Sequence, residues 1–166
     1  MEFSRKVDVE RLPQTSETTR EIAADEAERT ALAGRFQLVA LDRLEARVAL
    51  TRLPGGLLRL TGDLSADVVQ ECVVTLEPMA TRVEDRFTLL YGHAQDEAGE
   101  VVLSGEAELV EPISGGVLDI GEAVAQQLSL ALDPYPRRPA ASLPAPATEP
   151  GDASPFAALA KWREKG

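Results

Sequence analysis

The side chains that could do chemistry fall into a few groups. The carboxylates Asp96, Glu97, Glu100, Glu106, Glu108 and Glu111 crowd one stretch, and paired carboxylates can trade protons in acid/base catalysis or hold a hard cation. Their setting argues against both roles, because HAQDEAGE is polar and reads as a surface loop beside a strand rather than a pocket. The single histidine, His93, lies in the same polar turn with no cysteine at ligand spacing, and reads as a solvated residue. The single cysteine, Cys72, sits among valines. There a thiol packs as a small inert group, since a nucleophile needs a cation or helix N-terminus to lower its pKa.

Two further groups suit binding. Arg137 and Arg138 follow a Pro-rich turn, where exposed guanidinium groups can grip phosphate or carboxylate bidentately. Phe156, Leu159 and Trp162 fall at helical spacing with Lys161, Arg163 and Lys165 beside them, a short amphipathic segment fit to dock in a groove, stack on bases or fold back on its own domain. No GxGxxG, P-loop, GxSxG, HExxH or EF-hand spacing occurs, so no motif with a phosphate, acyl or metal mechanism is present.

Composition narrows the field. The 166 residues are 44% hydrophobic and 27% charged, with a formal charge of -11. A chain of that size and balance can bury one real core, and its overall field repels phosphate. Nucleic acid must then be met through a local basic patch or through another protein. A lone cysteine excludes an internal disulfide and any multi-cysteine zinc site. With no apolar run near the ~20 residues of a membrane span and no leader pattern at the start, the expectation is a cytoplasmic protein with no membrane role.

The elements that must position these residues alternate between two periods. Residues 3 to 12 read as a strand, TSETTREI as a connection or second short strand, and ADEAERTALAG as a helix that Gly34 ends. From Leu44 the period is two: Leu44, Ala46, Val48 and Leu50 share a face, Pro54-Gly55-Gly56 turns the chain, and 68 to 76 reads as a further strand stopped by Pro78. Val83, Asp85, Phe87, Leu89 and Tyr91 form the next strand, and a short one is expected near 107 to 112. LDIGEAVAQQLSLALDP is the clearest helix, with Asp119 and Glu122 spaced as a capping box and Ile120, Val124, Leu128, Ala131 and Leu132 as its apolar stripe. Pro134 ends it, and the following Pro/Ala-rich run has the composition of a linker.

Three of these segments resemble the bacterial YceD family, the large ribosomal RNA subunit accumulation proteins. ECVVTLEP, with Cys72, Leu76, Glu77 and Pro78, is similar to the family's C-x-x-C-L-E-P strand. LDIGEAVAQQLSLALDPYP, with Asp119, Leu128 and Pro134, is similar to its helix and exit, and SPFAALAKW, with Pro155, is similar to its C-terminal N-P-F-A-x-L motif. One departure matters: Thr75 stands where many members carry a second cysteine, so a metal site built on that pair cannot hold here. The resemblance implies a cytoplasmic protein needed for accumulation of 23S ribosomal RNA and assembly of the large subunit, with no defined enzymatic activity and no cofactor.

The expected fold is therefore α+β, an antiparallel meander or partly open barrel packed by two main helices. It should occupy residues 1–138, followed by a flexible linker at 139–153 and an amphipathic segment at 154–166. The expected function is binding rather than catalysis, with precursor 23S rRNA or a large-subunit ribosomal protein as partner and no small-molecule substrate. Arg137, Arg138, Phe156, Leu159, Lys161, Trp162 and Arg163 are the candidate contacts. The alternatives are a metal-assisted hydrolase or nuclease at the acidic loop, and a small-ligand carrier whose sign would be a closed apolar cavity.

Overall fold

Strict alternation of apolar and polar residues drives the sheet. The computed structural model describes residues 2–93, 100–103 and 106–143. Strand β3 (Ala40–Arg52), of 13 residues, buries Leu44, Ala46, Val48 and Leu50 while Asp42, Glu45 and Arg47 face outward. It is preceded by β1 (Lys6–Asp8), β2 (Thr18–Ala23) and helix α1 (Glu26–Arg35), and followed by β4 (Leu58–Glu71) and β5 (Pro78–His93). Strands β2 to β5 form an antiparallel meander. The β3–β4 turn needs left-handed backbone at Gly55 and Gly56, with φ of 80° and 78°, which glycine adopts without steric cost.

The fold is the expected α+β, partly open barrel, but not a pure meander. Chain order continues with β6 (Glu100–Leu103), β7 (Glu106–Ile113), β8 (Val117–Asp119) and helix α2 (Ile120–Ala131). The sheet order is β2-β3-β4-β5-β7-β6. The hairpin of β6 and β7 therefore attaches by its second strand, and β7 runs parallel to β5, from Leu90 opposite Val110 to His93 opposite Ile113. Of HAQDEAGE, expected to be loop, the last residue, Glu100, opens strand β6, which the sequence pattern did not indicate, and His93 ends a strand rather than sitting in a turn.

Three boundaries move for identifiable reasons. Only Lys6–Asp8 of residues 3 to 12 is strand, paired with β8. Beyond it the Val9 N–H donates to the Gly116 carbonyl at 2.9 Å, the Leu12 N–H turns back to Val9, and the Arg52 guanidinium caps the Val9 and Leu12 carbonyls. Of the expected separate strand at 68 to 76, residues 68–71 are instead the end of β4, whose register with β5 runs unbroken to Glu71 opposite Pro78, and the rest is turn. Pro78 starts β5 rather than stopping its predecessor, at a first-residue position where no ladder donor is needed. Helix α1 runs through Gly34, and Gln37, with φ of 56°, takes the left-handed cap. Leu38 N–H donates to Ala33 and Gln37 N–H to Gly34, the pair of bonds of a Schellman motif.

The core lies between the inner sheet face and the helices. Leu44, Val48, Leu60, Val68, Ile120, Val124 and Leu128 are each no more than 1% exposed. At Gly62 an added Cβ would lie 2.4 Å from the Phe87 ring, so only glycine lets its cross-strand partner fold over the backbone. No described helix is long and apolar enough to cross a membrane.

Candidate binding surface

The two sequence motifs that are most distant in character meet at one place. Beyond Glu71 the chain turns tightly: Cys72 N–H donates to Glu77, Leu76 N–H to Cys72, and Leu76 adopts a φ of 58°. The segment leaving α2 docks against this turn. Val73 N–H donates to the Pro136 carbonyl at 2.9 Å, the Gln70 amide to the Asp133 carbonyl at 3.0 Å, and Arg138 N–H to the Cys72 sulfur at 3.4 Å. An ion pair of Arg138 with Glu77 closes the junction. Pro136 is buried there, while Arg137 stays exposed beside it.

Cys72 lies in this turn rather than within a strand, and its sulfur is fully buried. The Thr75 hydroxyl above all, then the backbone N–H groups of Arg138, Thr75 and Val74, hold the thiol down to about 6 against the opposing effect of burial. Donors aimed at the sulfur favour the thiolate. Thr75 thus puts a donor where a second cysteine would have put a ligand. The residues present do not fit a metal centre: Cys72 is the chain's only cysteine, and no three metal-ligating side chains converge among the described residues.

What the junction leaves outside is apolar. Leu76 is 68% and Tyr135 70% exposed, with Val73 at 45% and Leu130 on the last turn of α2 at 76%. Such side chains on two segments hydrogen-bonded to each other form an exposed apolar patch of the kind that suits an interface, where Tyr and Arg supply much of the contact energy.

The other end of α2 is closed. The Asp119 carboxylate accepts from Gly121 and Glu122 N–H, capping the helix, and also from the Arg5 N–H at 2.7 Å and the Ser4 hydroxyl. Burial opposes its ionisation, but these four donors together outweigh it and lower its pKa. Glu122 does not complete the expected capping box; it forms a bidentate pair with Arg35 at 2.7 and 3.0 Å, which ties α1 to α2. The true capping box is at α1, between Asp25 and Glu28. Glu28 also takes Arg5 bidentately at 2.6 and 2.9 Å, which lowers the Glu28 pKa.

The structure thus brings Cys72, Leu76, Glu77, Pro78, Pro134, Arg137 and Arg138 to one end of the molecule, with Leu128 in the core and Asp119 at the far end of α2. Pro155, Phe156, Leu159, Lys161, Trp162 and Arg163 lie outside the described residues, as do Asp96 and Glu97 of the acidic stretch. Sequence reasoning missed Val73, Leu130 and Tyr135 as surface; the signal available was apolar residues next to turn-forming prolines. A depression of about 950 Å³ crosses the outer sheet face. It is an open trough between charged cross-strand rows, among them Glu21, Arg47, Asp63 and Arg86, and not the closed apolar cavity of a carrier.

A curled sheet packed by two helices, with an apolar, Arg-bearing junction at one end, defines a small α+β domain. A family model for the large ribosomal RNA subunit accumulation protein YceD matches residues 60–161, more than half of the chain, and the chain belongs to that family. The match takes in both halves of the junction, and the family's name implies a role in accumulation of the large subunit's ribosomal RNA. No curated protein and no solved structure matches the chain.

Proposed function

We propose that the chain is a non-enzymatic factor of large-subunit ribosome assembly. It acts in the cytoplasm and supports 23S rRNA accumulation by holding a large-subunit ribosomal protein at the junction of its two motif segments. One observation carries this reading: Leu76 and Tyr135, about two-thirds exposed or more, stand on segments joined by one backbone hydrogen bond and by bonds from the Gln70 amide and to the Cys72 sulfur. A pre-formed apolar surface of this kind loses little entropy on docking. Glu71, Glu77 and Asp133 are exposed around it, and the chain carries a net charge of -11. Basic ribosomal proteins are complementary to that field, which favours their encounter.

The test is capture of ribosomal proteins from lysate by the tagged full chain, with and without nuclease. Retention after nuclease is expected for the wild type. Leu76→Asn with Tyr135→Ser should lower retention roughly tenfold or more, the scale of a central interface anchor. Asparagine keeps the left-handed backbone at position 76 tolerable. Equal retention by the double variant, or loss of every partner from the wild type on nuclease treatment, would overturn the reading.

A further inference from the structure

The chain carries 28 acidic and 17 basic residues, yet one cleft reverses that balance. The N-terminal segment runs beside the sheet's edge strand β2 and leaves a depression of about 530 Å³. Arg5, Lys6, Arg11 and Arg20 line it, against the single carboxylate of Asp8, and Val7, Leu12, Ile22 and Ile120 supply apolar wall.

The four cations are not equivalent. The Arg5 guanidinium is engaged by Glu28, by two carbonyls and by the Phe3 ring, 4.8 Å away, so it shapes the cleft rather than serving a ligand. Arg11 pairs with Asp8 at 3.1 Å, but the two side chains are 88% and 46% exposed. Such a pair contributes little and exchanges readily for a stronger anion. Lys6 and Arg20 are exposed and make no ion pair with a described residue. Three available cations therefore face one depression, on two backbone segments whose positions are fixed by β-ladders to β8 and β3.

We infer that this cleft binds the phosphodiester backbone of single-stranded RNA. A polyanion with regularly repeated charge matches cations spread over Lys6, Arg11 and Arg20 better than a single carboxylate does. The apolar wall suits ribose, and no exposed aromatic side chain lines the cleft to stack on bases, so recognition is tolerant of sequence. The acidic surface elsewhere does not forbid this, because charges beyond about 8 Å are largely screened at physiological salt. The inference rests on the proposed assembly role for the presence of RNA and adds to it a second binding surface. Ile120, the first residue of α2, lines the cleft, and Asp133, two residues past its last, lies at the junction, so the 12 residues of the helix, about 18 Å long, separate the two surfaces. The two surfaces can therefore be occupied together.

The experiment is fluorescence anisotropy of a labelled single-stranded RNA oligonucleotide with the purified full chain over a series of KCl concentrations. Lys6→Glu with Arg20→Glu is expected to weaken binding by roughly tenfold or more and to make the salt slope shallower by about 1.4, near 0.7 for each phosphate no longer neutralised. Arg82→Ala, on β5 outside the cleft and paired with Asp67, should leave the RNA affinity unchanged. If the charge-reversed protein melts early, Lys6→Gln with Arg20→Gln takes its place, with the same slope change expected. A wild type that does not bind RNA even at low salt, or a variant that binds as tightly, overturns the inference. So does displacement of the RNA by polyglutamate as readily as by unlabelled RNA, which would assign the cleft to an acidic peptide. The assay holds no ribosomal protein, so its failure leaves the capture experiment at the junction standing, and the reverse also holds.

Discussion

The two ends of α2 are fixed by different means. At its N-terminus one carboxylate, Asp119, gathers four donors, and the helix touches the N-terminal segment backbone to backbone: a Cβ on Gly121 would lie 2.7 Å from the Phe3 carbonyl oxygen and 2.9 Å from the Arg5 nitrogen. At its C-terminus a few single bonds and one exposed ion pair hold the exit segment to the turn at 72 to 77. The first end is interior, with Phe3 fully buried; the second leaves leucine and tyrosine side chains in water. A dense, interlocked end contributes stability, whereas the junction end, held by fewer bonds, leaves apolar side chains on the surface.

The largest effect should come from closing the space at Gly121. Gly121→Ala forces main chain against main chain, and a loss of about 2–3 kcal/mol is expected, read as a drop of several degrees in Tm. Gly34→Ala is the matched control. Nothing lies within 4 Å of its added Cβ, and alanine's better helix propensity should leave the protein unchanged or slightly more stable. Equal destabilisation by both would mean that Gly121 is not held by backbone packing.

Titration separates the two ends by pH. Asp119 has a depressed pKa in the folded state, so its contribution is complete above the unfolded value of about 3.9 and is lost as pH falls through the folded value. Cys72 is depressed to about 6. Its contribution is complete above the unfolded value of about 8.5 and is lost as pH falls towards 6. Stability curves of Asp119→Asn should depart from the wild type's shape only in acid. Those of Cys72→Ser should depart between about pH 6 and 9. A Cys72→Ser curve parallel to the wild type through that range would show that the thiol titrates alike in both states.

The smallest effect belongs to Arg138→Ala. Its ion pair with Glu77 joins side chains that are 46% and 56% exposed, and such pairs contribute about 0–1 kcal/mol. Thermal unfolding should barely change, because the Arg138 backbone N–H still reaches the Cys72 sulfur. A destabilisation comparable to that of Gly121→Ala would make the two ends alike and undo the contrast.

Local pattern carried much of this fold. Alternation at Leu44, Ala46, Val48 and Leu50 marked β3 and its buried face, and the stripe from Ile120 to Leu132 with Asp119 before it marked α2. Where the reading failed, a remote partner had decided. Glu122 looked like half of a capping box until Arg35, from another helix, took it. Pro78 looked like a stop because β5 was not there to keep β4 in register. Of the candidate site, the exit arginines and the motif residues around Cys72 were legible one segment at a time; that they share one surface was not.

By itself the sequence determined that β3 extends and that α2 is helical, and which face each buries, because side-chain period reports burial directly. It also settled that one cysteine and one histidine supply no multi-cysteine metal site. Only the tertiary structure decided that β7 enters the sheet parallel to β5, that residues 72 to 77 meet 133 to 138, and that Lys6, Arg11 and Arg20 line one cleft. Periodicity states that a face is covered without naming what covers it, and each of these meetings joins segments whose partner no local pattern encodes.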